Sequence, residues 1–177
     1  MEGLIPRKFG HDAVEIPGAR SLLEHVIRSS CPWAIVTSGT VPLVSGWLEV
    51  LALPRPEHMV TAESVQIGKP DPTCYLMGLD RLGRRAKAAD VLVLEDSPAG
   101  IRAGKAAGCK VLGLVTSHSA QQVLEAEPDW IVRDLQSVTV VRTRDGTVTL
   151  EISQTLAAVD QEGHETGGDE REAGWLP

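Results

Sequence analysis

The sequence lacks asparagine altogether and has little aromatic content, with four tryptophans, one tyrosine and one phenylalanine. Without asparagine the chain offers no acceptor for N-linked glycosylation. Its longest apolar runs, residues 91–94 and 111–115, are far shorter than the roughly 18 residues that a membrane-spanning helix needs. The net charge of −7 and the few aromatic side chains argue against the basic, base-stacking surfaces of nucleic-acid-binding proteins. We therefore expect a soluble protein with neither membrane nor nucleic acid as a partner.

Cysteine is also scarce, and its spacing excludes two common uses. Cys31, Cys74 and Cys109 are odd in number and lie 43 and 35 residues apart, which fits neither a disulfide framework nor a pair of zinc ligands. The first residues have neither the basic-then-apolar order of a secretion signal nor the composition of a transit peptide. We expect reduced, mostly buried cysteines and a cytoplasmic protein.

The charge is concentrated at one end of the chain. Residues 160–177 contain six acids and one base, Arg171, so this segment carries −5 of the net −7. It is also rich in glycine and nearly devoid of apolar residues before Trp175, a composition that cannot offset the entropy of ordering it. We expect residues 156–177 to form an acidic, disordered tail. The preceding part of the 177 residues has the length of one domain.

Ahead of this tail, helical and extended patterns alternate along the chain. Apolar, β-branched segments predict strands at residues 33–37, 59–61, 91–95, 110–115 and 130–132. Helical spacing of apolar residues, together with capping residues, predicts helices at residues 19–30, 42–53, 72–83, 98–108 and 120–127. This order predicts an α/β fold, a three-layer Rossmann-like arrangement of a parallel sheet with helices on both faces. Two further strands around the turn Arg144-Asp145-Gly146 predict a C-terminal β-hairpin.

Polar residues follow three of the predicted strands, where ligands collect in open parallel sheets. Thr37-Ser38-Gly39-Thr40 follows the first strand, and Gly68-Lys69-Pro70-Asp71-Pro72 follows the second strand and its loop. Glu95-Asp96-Ser97 ends the third strand, directly before a helix. Hydroxyls, one lysine and paired carboxylates are the groups that hold a phosphate beside a divalent cation such as Mg²⁺. Each segment alone is more typical of a turn, a solvated charge or a helix cap, but their joint occurrence at successive strand ends favours a site.

These three segments resemble the second, third and fourth motifs of the haloacid dehalogenase (HAD) superfamily of phosphatases. More narrowly, residues 2–10, 15–18 and 104–110 are similar to the fungal glycerol-1-phosphate and 2-deoxyglucose-6-phosphate phosphatases, and the similarity extends over residues 1–155. The resemblance implies a HAD-like core over residues 17–155. It also implies hydrolysis of small phosphomonoesters, such as glycerol phosphate or sugar phosphates, through an aspartyl-phosphate and with Mg²⁺.

The resemblance assigns a role to each matching residue. Thr37 would hydrogen-bond the phosphoryl oxygens, helped by Ser38 and the backbone at Gly39. Lys69 would neutralise charge on the attacking carboxylate and on the group being transferred, so that Lys69 and Thr37 are the candidate catalytic residues. The candidate metal ligands are Asp96, which would bind Mg²⁺ directly, and Glu95, which would bind it directly or through water.

One departure from the family pattern is severe. HAD phosphatases begin with a strand that ends in Asp-x-Asp and carries the nucleophile and the general acid, whereas this sequence contains no Asp-x-Asp at all. By this resemblance the chain is N-terminally truncated, residues 1–16 are a remnant of the cap domain and its return linker, and the first core strand is missing. That strand would lie between the strands ending at Thr37 and Glu95, so both would have unpaired edges.

Three hypotheses follow from this pattern. The chain is a truncated phosphatase that cannot turn over as it stands, or a module that binds phosphate and Mg²⁺ without catalysis. Alternatively, it is an oligomerisation module that self-associates through its unpaired sheet edges. Under the first two hypotheses its partner is a small phosphorylated metabolite.

Overall fold

The computed structural model describes residues 2–158, in which short helices alternate with short strands. Within this range the α-helices are α1 (Ile5–Phe9), α2 (Ala19–Arg28), α3 (Val41–Val50), α4 (Thr73–Arg81), α5 (Pro98–Ala106) and α6 (Ala120–Leu124). The strands are β1 (Ala34–Val36), β2 (His58–Val60), β3 (Leu92–Glu95), β4 (Lys110–Leu114), β5 (Trp130–Val132), β6 (Val138–Arg144), β7 (Thr147–Ile152) and β8 (Ala157–Ala158). Turns of 3-10 helix occur at Glu2–Leu4, Gly10–Asp12, Ala62–Ser64, Arg85–Asp90 and Leu135–Ser137.

The strands of the body pair in parallel, as the alternating pattern predicts. β3, β4 and β5 form one parallel sheet, and β8 joins the outer edge of β5 in the antiparallel direction. β1 and β2 form a separate parallel pair. The predicted α/β class is confirmed, and each of the five predicted body strands is present within about one residue of its expected ends.

The parallel strands are divided between two sheets. In the part of the chain that the structure describes, β1 pairs only with β2, and β3 pairs only with β4. β1 and β3 are therefore not hydrogen-bonded to each other. These are the strands that end at Thr37 and Glu95, and the division agrees with the unpaired edges expected there. Helix α4 packs against β1 and β2 and also contacts α5, which lies against β3 and β4.

Capping residues and glycines set the helix boundaries. The Ser97 hydroxyl accepts a hydrogen bond from the amide of Gly100 at the start of α5, as expected of an N-cap followed by Pro98. Helix α4 starts at Thr73, one residue later than predicted, because the Asp71 carboxylate accepts from the Thr73 amide at 2.9 Å. The predicted helices end two or three residues early because their last residues form capping turns, as at Gly83, whose φ is +62°.

Two apolar clusters fill the two sides of the main sheet. The larger cluster joins α4, α5 and α6 to β2, β3 and β4, and includes Val60, Tyr75, Leu79, Ile101 and Val111. Small residues let α5 lie close to the sheet, since a Cβ on Gly104 would be only 3.0 Å from Val111 Cγ2. The smaller cluster joins α2 to the outer strands and the hairpin, and includes Leu22, Leu112, Leu114, Val132, Leu135 and Val138.

The two ends of the described chain both pack on this body. The hairpin of β6 and β7 turns at Asp145-Gly146, with φ of +50° and +70°, and packs through β6 on α2, so the predicted hairpin is confirmed. Near the amino end, α1 packs on α3, with Pro6 fully buried. The predicted acidic tail lies almost entirely outside the described residues. None of the helices within residues 2–158 has the length and apolar character required to cross a membrane.

The cysteines are free thiols, as expected. Cys74 and Cys109 are buried in the larger apolar cluster, and Cys31 is half-buried. Burial raises the pKa of both cluster thiols.

A partly buried aspartate, directly before β5, ties that strand to β4 and α5. The Asp129 carboxylate accepts a hydrogen bond from the Val111 amide at 2.7 Å and pairs with Lys105 at 2.9 Å and Lys110 at 3.4 Å. Its side chain is only 14% exposed. Burial alone would raise the pKa of Asp129, but the Val111 amide and the two lysines outweigh it, so that the pKa is lowered.

We therefore expect Asp129→Asn to destabilise the fold by about 1–3 kcal/mol at pH 7, because it removes the charge that pairs with the two lysines. The asparagine oxygen can still accept from the Val111 amide. A carboxylate with a lowered folded-state pKa contributes stability above its unfolded pKa of about 3.9, and loses that contribution as the pH falls through the folded-state pKa. The difference between the variant and the parent should shrink below about pH 4. Urea unfolding of the parent and the variant at several pH values measures this difference in the free energy of unfolding.

The control Asp80→Asn removes an ion pair with Arg85 at the surface, where the carboxylate is 58% exposed, and should change the free energy of unfolding little. An unchanged difference at acid pH would contradict this account.

Candidate active site

The last residues of β1 and β3 meet at the side chain of Lys69, which lies in the loop after β2. Its ammonium group donates to the Val36 carbonyl, at the end of β1, over 3.3 Å. The same group forms an ion pair with Glu95, the last residue of β3. Lys69 precedes a cis peptide bond to Pro70. One cation thus joins the carboxyl ends of two strands that belong to different sheets.

The Lys69–Glu95 pair is almost completely enclosed. The side chains of Lys69 and Glu95 are 10% and 6% exposed. Tyr75 completes the cluster: its hydroxyl donates to Glu95 Oε1 at 2.6 Å and accepts from Lys69 Nζ at 3.2 Å, and its ring centroid lies 4.9 Å from Nζ. A buried charge without its partner is strongly unfavourable, so the ammonium group of Lys69 has to stay at the Glu95 carboxylate. The cluster therefore holds Lys69 in one position.

The second oxygen of Glu95 is fully engaged as well. Oε2 accepts from the amides of Asp96 and Ser97 at 3.1 and 3.2 Å and from the Ser97 hydroxyl at 3.0 Å. Burial alone would raise the pKa of Glu95, but Lys69, Tyr75 and the Ser97 amide outweigh it, so that the pKa is lowered and the side chain is a carboxylate. Burial and the neighbouring Glu95 charge raise the pKa of Tyr75, which therefore stays protonated as the donor.

Gly100, in the first turn of α5, leaves the space that Glu95 occupies. A Cβ at this position would overlap the carboxyl group of Glu95. The sequence Ser97-Pro98-Ala99-Gly100 therefore caps the helix and makes room for the buried carboxylate at the same time.

Asp96 presents the carboxylate that is available for a ligand. Its side chain is half-buried and accepts no hydrogen bond or ion pair from residues 2–158, in contrast to that of Glu95. Its backbone carbonyl accepts from the Ser117 hydroxyl at 3.3 Å and lies 3.1 Å from His118 Nδ1, which fixes the loop after β4 beside it.

The described residues contain no group of three His, Cys, Asp or Glu side chains suited to a metal ion. A single available carboxylate fits Mg²⁺, which commonly keeps several waters and binds one or two carboxylates together with a substrate phosphate. The assignment of Asp96 and Glu95 as ligands stays a prediction, and the contacts of Glu95 favour Asp96 for direct binding.

The loop after β1 carries the hydroxyl groups of Thr37 and Ser38. Thr37 Oγ1 accepts from the Gly39 amide at 3.0 Å, so its own proton is left to be donated to a ligand. Ser38, between Thr37 and Gly39 in the sequence, is exposed. The first amide of α3, at Val41, is already bonded to the Glu63 carboxylate at 3.0 and 3.2 Å. A phosphate here would therefore meet the loop of Thr37 to Gly39 and not the first amide of α3.

Sequence reasoning did not find three residues of this site: Tyr75, Glu63 and His118. Tyr75 had a usable signal, because it lies in the first turn of α4, six residues after Lys69, and is the one tyrosine in the chain. His118 follows β4, but the five histidines of the sequence show no spacing that would single it out. Glu63 had no signal in the sequence, because its contact with the Val41 amide depends on where the turn after β2 lies relative to the start of α3.

Comparison with known proteins agrees with this geometry. The family model of haloacid dehalogenase-like hydrolases matches residues 8–108. The chain is 40% identical over 148 residues to glycerol-1-phosphate phosphohydrolase 1 of Saccharomyces cerevisiae, covering 79% of this chain and 58% of the yeast protein. It is 32% identical over 156 residues to 2-deoxyglucose-6-phosphate phosphatase 2 of the same yeast, covering 80% of this chain and 63% of that protein. The resemblance to these two kinds of fungal phosphatase is confirmed.

Solved structures share the fold. The crystal structure of a hydrolase from Pseudomonas syringae superimposes with a TM-score of 0.67 at 24% identity, covering 75% of this chain and 61% of that one. The chain thus spans about three fifths of the length of the proteins it matches, 58% and 63% of the two yeast phosphatases.

The close contact at Gly100 generates a prediction for the Glu95 cluster. We expect Gly100→Ala to displace the Glu95 carboxylate from Lys69, Tyr75 and Ser97, and to destabilise the fold by about 1–3 kcal/mol. The matched control is Gly68→Ala, because a Cβ at Gly68 would meet nothing within 4 Å. This control should change the free energy of unfolding by less than about 0.5 kcal/mol. Urea denaturation of both variants measures the difference, and equal stabilities would show that the Glu95 contacts contribute little.

Proposed function

The chain belongs to the haloacid dehalogenase-like hydrolase family, and we propose that its site is that of a phosphatase for small phosphomonoesters such as glycerol phosphate or a sugar phosphate. The observation that carries this proposal is the buried Lys69, whose ammonium group joins the ends of β1 and β3 beside Thr37 and Asp96. The names of the yeast relatives, glycerol-1-phosphate phosphohydrolase and 2-deoxyglucose-6-phosphate phosphatase, support the substrate class. The free thiols support a cytoplasmic location.

In this proposal each side chain has one task. Thr37 and Ser38 donate their hydroxyl protons to phosphoryl oxygens, and the Gly39 amide orients the Thr37 hydroxyl by donating to its oxygen. Lys69 places a fixed positive charge where negative charge develops during phosphoryl transfer. Glu95 and Tyr75 are positioning residues that hold the ammonium group in place.

The charge balance at the strand ends argues for a divalent cation. Lys69 supplies one positive charge, whereas Glu95 and Asp96 supply two negative ones, and Lys69 is already paired. This set alone would repel a phosphate dianion. When bound at Asp96, Mg²⁺ would supply Lewis-acid charge neutralisation of the phosphate.

Binding and turnover separate in this chain. The sequence of 177 residues contains no Asp-x-Asp, the family motif that supplies the nucleophile and the general acid. We therefore propose that these residues bind phosphate without hydrolysing its esters. The same contacts favour the second candidate function, a module that binds phosphate without catalysis, and activity measurements on a longer chain would separate the two.

Binding is tested by thermal unfolding with inorganic phosphate, with MgCl₂ and with both. We expect the two together to raise the melting temperature by a few degrees at about ten times the dissociation constant, and each alone to raise it less. Asp96→Ala and Thr37→Val should remove the shift. Glu57→Ala, which deletes an exposed acid outside the site, should retain it. A shift that survives Asp96→Ala, or no shift in the parent chain, would contradict the proposal.

Turnover is tested with p-nitrophenyl phosphate and MgCl₂. We expect no hydrolysis above the rate in buffer, because the sequence contains no Asp-x-Asp to supply the nucleophile and the general acid. Asp96→Ala, prepared in the same way, serves as the control for contaminating phosphatases. A rate that the parent chain shows and Asp96→Ala lacks would prove the inactivity wrong.

A further inference from the structure

The backbone on both sides of Asp96 is held by hydrogen bonds. Its amide donates to Glu95 Oε2 at 3.1 Å. The next peptide group is held at both ends, because the Ser97 amide donates to the same oxygen at 3.2 Å and the Asp96 carbonyl accepts from the Ser117 hydroxyl at 3.3 Å. Since each peptide group is planar, these bonds fix the main-chain torsions of Asp96 and leave only its side-chain torsions free.

His118 makes the shorter contact with the Asp96 carbonyl. Its Nδ1 lies 3.1 Å from that oxygen and 2.8 Å from the Ser117 hydroxyl. A carbonyl oxygen can only accept, so Nδ1 carries a proton and donates it to Asp96. The His118 side chain is half-buried, so this contact is partly shielded from water. The loop after β4 thus supports the residue that follows β3.

The loop after β4 is itself anchored on both sides of these two residues. Before them, the Val115 amide donates to the carbonyl of Val132, the last residue of β5, at 3.0 Å. After them, Ser119 caps α6: its hydroxyl accepts from the Gln122 amide at 3.3 Å, and its amide donates to Gln122 Oε1 at 3.1 Å. The segment between these anchors therefore has little freedom to move away from Asp96.

We propose that Ser117 and His118 are positioning residues for a cation bound at Asp96, an inference that rests on the proposed function. They act through the Asp96 carbonyl and not as metal ligands. In contrast to that of Glu95, the Asp96 carboxylate accepts no bond from residues 2–158, so a cation there depends on how well this one ligand is oriented. A ligand whose backbone is already fixed loses less conformational entropy on binding, and hydrogen bonds around metal ligands commonly change metal affinity by about 10-fold to 100-fold.

The test measures Mn²⁺ binding to the full 177-residue chain through the loss of the free-ion signal in electron paramagnetic resonance. Mn²⁺ is the probe because it prefers the same oxygen ligands as Mg²⁺. We expect His118→Ala to weaken Mn²⁺ binding about tenfold. Ser117→Ala should weaken it less, because the serine contact with the Asp96 carbonyl is the longer one. The same order should hold when inorganic phosphate is present.

Two amide replacements of His118 separate positioning from packing. Asparagine carries a side-chain N–H at the same bond distance from Cβ as histidine Nδ1, and glutamine carries one at the distance of Nε2. His118→Asn should therefore retain most of the affinity for Mn²⁺, whereas His118→Gln should lose it as His118→Ala does. Equal affinities of the asparagine and glutamine variants would overturn the role of Nδ1.

The matched control is His25→Ala. His25 Nδ1 makes the same kind of contact with a backbone carbonyl, that of Ser21, at 2.7 Å within α2. Because this contact lies in a different element from Asp96, its loss should leave Mn²⁺ binding unchanged. Weakening of Mn²⁺ binding by His25→Ala as large as that by His118→Ala would contradict the proposal.

Hydrogen exchange tests the same contacts without any metal. His118→Ala should speed exchange of the Ser97 amide several-fold, because the carbonyl end of its peptide group is released, and His118→Asn should not. The Val111 amide, which is bonded to Asp129, should exchange equally in all variants. An unchanged Ser97 amide in His118→Ala would overturn the proposal.

The outcomes distinguish this inference from the proposed function. Equal Mn²⁺ affinities of the parent chain and His118→Ala would overturn the positioning role and leave the proposed function standing. No Mn²⁺ binding by the parent chain would contradict both. If His118→Ala does not fold, the comparison of His118→Asn with His118→Gln decides the question.

Discussion

The buried ion pair between Lys69 and Glu95 is the interaction on which the site depends. Both side chains are nearly excluded from water, so each charge requires the other. The hydroxyl groups of Tyr75 and Ser97 also donate to the Glu95 carboxylate. The pair also bridges two sheets that share no backbone hydrogen bond within residues 2–158. Its contribution is therefore positional, because it fixes the end of β1 relative to the end of β3.

This constraint explains several sequence features at once. Glu95 needs the space left by Gly100, the amides at the start of α5 and the Ser97 hydroxyl, so the helix start and the carboxylate form one unit. Lys69 donates to the hydroxyl of Tyr75, which lies in the first turn of α4. The position of Tyr75 therefore depends on where α4 begins, and the Asp71 carboxylate sets that start by accepting from the Thr73 amide. The helix caps that the sequence predicts are thus also supports of the buried charges.

Much of the fold could be predicted from the sequence because its signals are local. Ser97-Pro98, Asp71-Pro72 and Asp145-Gly146 specify backbone geometry within a few residues, and the structure has a helix start or a turn at each. The site was predictable only as a set of strand ends. That Glu95 would be saturated and Asp96 available could not be foreseen, because the contacts of Glu95 Oε1 come from Lys69 and Tyr75, 26 and 20 residues earlier in the chain.

The pairing of Lys69 with Glu95 limits the charge that the site offers to a ligand. An ammonium group paired with a buried carboxylate has little net attraction left for a phosphate dianion, and Asp96 adds repulsion. Under the proposed function, such a lysine would act on the bound group only when a cation at Asp96 offsets the two carboxylates. The pairing of Lys69 with Glu95 and the availability of the Asp96 carboxylate are therefore two parts of one charge balance at the ends of β1 and β3.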